Sequence, residues 1–112
     1  MTDPDPNIVR QVLSELRDVS KEKRRTAVMK LGMLGGDEAV RTLMMVVTNS
    51  HEDLIVRGRA AMMLGKLGDP RAVEPLLRVI EMHNDKMREA AQEALDKLGY
   101  NGEPQGEPVG ES

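Results

Sequence analysis

One pattern in this chain is written three times, and a repeat of that kind constrains the fold before any single element is assigned. Arg24–Val40 reads RRTAVMKLGMLGGDEAV and Arg57–Val73 reads RGRAAMMLGKLGDPRAV. Leu31 falls on Leu64, Gly32 on Gly65, Leu34 on Leu67, Gly35 on Gly68, and Ala39-Val40 on Ala72-Val73, at a constant offset of 64 − 31 = 33. A third copy opens at Arg88 (REAAQEALDKLG) at an offset of 88 − 57 = 31, placing Ala91 on Ala60, Leu95 on Leu64 and Gly99 on Gly68. The intervening segments match as well. Val9, Val12, Leu13 and Leu16 are spaced as Val40, Leu43, Met44 and Val47, and again as Val73, Leu76, Leu77 and Ile80. The step i, i+3, i+4, i+7 is one stripe of an α-helix, and no stretch alternates with a period of two. The sequence is all-α.

Punctuation sets the boundaries. Gly35, Gly68 and Gly99 each follow a periodic run, where a left-handed residue ends a helix. Asp69-Pro70 reads as N-cap and first helical residue, and Asp37 is expected to cap the equivalent helix. Pro75 would remove a backbone bond from a helix interior, so that helix should start late or bend in its first turn. The spacing predicts six helices near 7–18, 21–34, 37–48, 54–67, 70–82 and 86–98. Short loops make successive helices antiparallel, giving about three helical hairpins stacked as a short right-handed α-solenoid. Residues 1–6 read as a flexible N-terminus, 7–99 as the repeat domain, and 100–112 as a disordered acidic Gly/Pro/Glu tail too poor in apolar side chains to offset its ordering entropy. Gln92-Glu93 stand where Val28-Met29 and Ala61-Met62 are apolar, which reads as a cap on a complete array. Polar terminal helices favour a monomer.

Composition narrows the chemistry. With no Cys, no Trp, no Phe and one Tyr, the core must be built from aliphatic side chains and nine Met, and disulfides and thiolate chemistry are excluded. No apolar run reaches a membrane span, the N-terminus is unlike a signal peptide, and a cytoplasmic location is expected. A net charge of −3 gives no global attraction for nucleic acid. Ser14, Ser20, Ser50 and Ser112 sit in no nucleophile motif, and no Gly-rich run leads into Lys-Ser/Thr. These residues point to no catalytic site and no cofactor.

The segment Val56–Glu81 (VRGRAAMMLGKLGDPRAVEPLLRVIE) resembles the HEAT-like repeat of the phycobilin-lyase type. It shares the Val-Arg opening, the Ala-Ala within the first helix, Leu-Gly-x-Leu-Gly-Asp-Pro at the turn and Ala-Val-x-Pro-Leu-Leu in the second helix. The likeness extends loosely over Asn7–Gly99. It implies an α-solenoid and says less about activity. Hydroxylase relatives of this repeat place His-Glu pairs after the helix-opening Arg to hold di-iron. The positions here carry Arg25-Thr26, Gly58-Arg59 and Glu89-Ala90. His51-Glu52 and His83 fall in inter-repeat loops and read as solvated polar residues.

Two surfaces remain. Arg24, Arg57 and Arg88 share one repeat position and could form an anion ladder, or each could pair with a loop acid such as Asp53 or Asp85. The second helix of each unit is expected to line the concave side, leaving Arg10 and Ser14, then Arg41 and Met45, then Glu74 and Arg78 for a partner. The leading expectation is a non-catalytic scaffold holding another protein there. The alternatives are an accessory subunit related to bilin lyases, or weak nucleic-acid binding through the arginines.

Overall fold

The computed structural model describes residues 3–82 and 84–100; His83 and the low-complexity segment 101–112 lie outside the described residues. The elements are α1 (Pro6–Glu15), α2 (Lys21–Leu34), α3 (Asp37–Thr48), α4 (Leu54–Leu67), a 3-10 turn (Pro70–Ala72) running into α5 (Val73–Ile80), and α6 (Asp85–Lys97). Among the described residues there is no strand. No described helix is long and apolar enough to cross a membrane.

Equivalent residues of the repeat occupy equivalent interior places. Ala27, Ala60 and Ala91 are buried, as are Leu31, Leu64 and Leu95, and so are Val12, Leu43 and Leu76 from the second helices. Burying each leucine contributes roughly 1.5–3 kcal/mol. Neither helix of a hairpin could cover its own stripe, so each unit completes the core of the next. The result is two layers, α2-α4-α6 and α1-α3-α5, with α4 at the centre touching α2, α3 and α6. The smallest extent is 15 Å, the depth of two packed helices.

The first layer is tight because glycines face it. A methyl group on Gly32 would overlap the Met63 side chain, and one on Gly65 would lie 3.0 Å from the Ala94 Cα. Gly58 is different: it sits inside α4 with nothing within 4 Å of the place its Cβ would take.

Side chains cap most helices as their sequence suggests. Asp53 accepts from Val56 N at 3.0 Å, Asn84 from Met87 N at 3.0 Å, and Asp69 from Arg71 N at 2.9 Å. The late start around Pro75 is a 3-10 turn, and Pro75 becomes the third residue of α5, where a backbone N–H would lack a helical acceptor in any case. Four expectations need correcting. Asp37 is the first residue of α3 rather than its cap, because Gly36 takes the cap position without a side-chain bond. α1 ends at Glu15, before a turn in which Asp18 accepts from Ser20 N at 2.9 Å and draws the backbone away from the helix. The N-terminal segment is engaged earlier than expected, with Asp5 capping α1 and Pro4 lying against Gly36. Tyr100 belongs to the fold and not to the tail: its N–H donates to Leu95 O at 2.9 Å behind Gly99, at φ 82°, and its ring packs on the core.

The two α4 glycines should respond oppositely to alanine. In urea unfolding, Gly58→Ala is expected to stabilise by roughly 0.5–1 kcal/mol, since only the helix-propensity term changes. Gly65→Ala should cost about 1–3 kcal/mol by forcing α6 outward. Equal effects at the two sites would contradict this packing.

Candidate functional site

The repeat-position arginines do not form an exposed ladder. Arg57 is 4% exposed, and its guanidinium donates twice to Val47 O, at 3.1 and 3.0 Å, and to the Met82 Sδ at 3.1 Å. It therefore satisfies a carbonyl at the end of α3. Burial pushes the Arg57 pKa down, and among the described residues no carboxylate pairs with it. Arg24 is turned inward too, donating to Glu52 at 3.0 Å and to the carbonyls of Asp18 and Val19 at 2.8 and 3.0 Å. Only Arg88 faces solvent, beside Asp85 at 3.2 Å. Only at Arg57 does this position tie a helix to the end of the preceding one; Arg24 reaches the loop after α1, and Arg88 stays within its own helix.

The neighbouring Arg25 fastens the first two units. It meets Asp53 at 3.0 Å, with both side chains largely buried, and holds the Asp53 carboxyl down at about 2 against the opposing effect of burial. At the next interface the counterparts are Gly58 and Asn84, so that ion pair has no equivalent.

On the second-helix face, Arg10, Ser14, Arg41, Met45, Glu74 and Arg78 are all exposed. The structure brings Arg10 and Arg41 to one cleft of about 480 Å³ between α1 and α3, with Val9 and Leu13 on its walls. The two helices make little direct contact with each other. Arg41 is engaged there in a surface chain of ion pairs: Arg41 to Asp37 at 2.8 Å, Asp37 to Arg71 at 2.7 Å, and Arg71 to Asp69 at 2.8 Å. The Arg71 guanidinium lowers the pKa of both Asp37 and Asp69. Met45, at 68% exposure, lies outside that cleft, one turn along α3 from Arg41. Its repeat counterpart on α5 is Arg78.

A second surface escaped the sequence reading. Between α4 and α6 runs a groove of about 450 Å³ floored by Ile55, Met62, Ala90 and Ala94 and flanked by Arg59, Lys66 and Lys97. Gly58 lies in its wall. The available signal was Gly58 itself, a helix-interior glycine where the other copies carry Arg25 and Glu89.

The positions that the hydroxylase likeness assigns to iron ligands do not fit that metal, since Arg25, Gly58 and Arg59 supply no donor and Glu89 stands without a histidine. Among the described residues no three His, Asp or Glu side chains gather to share one ion, and His51 is a solvent-exposed loop residue.

Stacked helical hairpins with matching interiors define an α-solenoid. The profile of the HEAT repeats matches residues 9–96, and the chain belongs to the HEAT-repeat family. Human deoxyhypusine hydroxylase, solved in complex with glycerol, is similar in fold, with a TM-score of 0.76 at 22% sequence identity. The similarity covers 88% of this chain but 34% of the hydroxylase, so the chain spans well under half the length of that protein. No curated protein matches the sequence. The family match stops at HEAT repeats and does not reach the narrower phycobilin-lyase type, a likeness strongest in Val56–Glu81.

Asp53 gives this site a pH signature. Its folded pKa of about 2 lies below the ordinary 3.8, so its pairing stabilises the fold above about pH 4, and that contribution is lost as the pH falls toward 2. Asp53→Asn keeps a competent cap but loses the charge. Its melting temperature should fall below the parent's at pH 7, and the gap should close on acidification toward pH 2. A gap that does not change with pH would contradict the pairing.

Proposed function

We propose that the chain is a non-catalytic docking module that holds another protein on the face of α1, α3 and α5. The observation that carries this reading is Met45: an unbranched apolar side chain, 68% exposed in the C-terminal half of α3, the central second helix, on the same stripe as Arg41. A soft apolar spot framed by guanidinium groups is the composition of an interface centre, since Met adapts its shape and Arg supplies directed donors. Glu74 and Arg78 extend the same stripe onto α5. Rigid helices hold these side chains in fixed register, which lowers the entropy lost on binding.

Nucleic acid is the poorer partner for this surface. Two of the three repeat-position arginines are spent on carbonyls and Glu52, and no aromatic side chain stands between the remaining cations. Catalysis of the hydroxylase kind is disfavoured by the side chains at Gly58-Arg59 and Glu89-Ala90.

The test is a triple variant, Arg41→Ala with Met45→Ala and Arg78→Ala, used as bait in affinity capture from the source cells. All three side chains are exposed, so the helical spectrum and melting temperature should stay within a few degrees of the parent. The variant should lose the proteins that the parent retains. Capture of the same proteins by the folded variant would overturn the assignment to this face.

A further inference from the structure

We infer that the α4–α6 groove is a second docking site, built for an acidic peptide segment of a partner protein that carries one or two aliphatic side chains. This extends the reading as a docking module to a different face and does not depend on Met45.

Three observations converge on it. The floor is apolar and open to solvent: Ile55 is 46% exposed and Met62 37% exposed, although both lie on the helix that forms the centre of the fold. The flanks are cationic. Arg59, Lys66 and Lys97 form no ion pair among the described residues, and Glu93 is the one carboxylate in the lining. Elsewhere on the surface Lys30 is engaged by Glu15 and Arg71 by Asp37, while Arg17, Lys21, Arg78 and Lys86 also form no ion pair among the described residues; what sets the groove apart is that three such cations flank one apolar floor. The third observation is Gly58. A glycine inside a helix weakens it, and here packing does not require one, because a Cβ would meet open space. What the missing side chain provides is room over the groove. In the preceding unit the same position is Arg25, whose side chain lies across the interface to Asp53. The second interface replaces that pair by Gly58 and Asn84 and leaves the surface uncovered.

The occupant follows from this lining. Aliphatic side chains would cover Ile55 and Met62, and carboxylates spaced along the segment would meet Arg59 and Lys66, which are two turns apart on one face of α4. A basic segment would face three like charges, and a wholly polar one would leave the floor wet.

The test uses the full chain and a fluorescein-labelled peptide, EELEELEE, followed by anisotropy at about 0.15 M salt, where exposed charge attraction is screened beyond ~8 Å. Saturable binding is expected, weakened at least about tenfold by Gly58→Leu, which fills the groove, and by Lys66→Glu with Lys97→Glu. Gly58→Leu should also raise the melting temperature, so lost binding cannot come from lost folding. The peptide with serine in place of leucine should bind markedly more weakly. Undiminished binding to Gly58→Leu, or equal binding of the serine peptide, would overturn the proposal. So would tighter binding of EELEELEE once Glu103, Glu107 and Glu111 are changed to Gln, because that result would make this chain's own terminal segment the occupant. The assay uses purified protein and touches none of Arg41, Met45 and Arg78, so its failure leaves the α1-α3-α5 reading standing, and the converse also holds.

Discussion

Gly65 lets α6 approach α4 until the place of a methyl group is 3.0 Å from the Ala94 Cα, and Gly32 opens the same kind of space for Met63 on the other side. With glycines at these two contacts, α2, α4 and α6 form a continuous layer, and the leucines at the repeat position are buried against it. The second helices cannot match that closeness. Val9, Arg10 and Leu13 of α1 face Asp37, Ala39 and Arg41 of α3, and the two helices leave a cleft between them. The fold is thus anchored on α4 and loosens toward α1. The exposed apolar side chains considered as contact points, Met45, Ile55 and Met62, lie on α3 and α4, within the best-supported part of the array.

Most of this architecture was legible in the residues. The repeat placed Leu31, Leu64 and Leu95 in equivalent interior positions because the period of an α-helix and the stacking of like units leave one solution. Pro75 announced its irregular first turn through its missing N–H. The failures were local and chemical. Asp37 was misplaced because it aligns with Pro70, the first helical residue of its unit, while the cap position that holds Asp69 there is filled here by Gly36, which has no side chain to accept a bond. The end of α1 was missed because an aspartate that bonds its own backbone competes with helix bonds, and no periodicity reports that.

The surface was less legible, and the arginines show why. Arg24, Arg57 and Arg88 occupy one position in the repeat and meet three different surroundings: a carboxylate with two carbonyls, a buried carbonyl with a thioether, and open solvent beside Asp85. Repetition in sequence fixes where a side chain starts but not what lies at its far end, which depends on loops that differ between units. The α4–α6 groove was hidden for the converse reason. Its most telling residue, Gly58, has no side chain, and its meaning emerges only when the space around it is seen to be empty.

Native-state hydrogen exchange tests the central claim, that α4 is the element on which the array depends, most directly. Amides in the middle of α4, from Ala60 to Leu64, should be the slowest in the protein and exchange only with global unfolding, while those of α1, from Val9 to Leu13, should exchange earlier through a partial opening. Protection in α1 equal to that in α4, or α4 amides exchanging ahead of those in α2 and α6, would contradict an array built outward from α4.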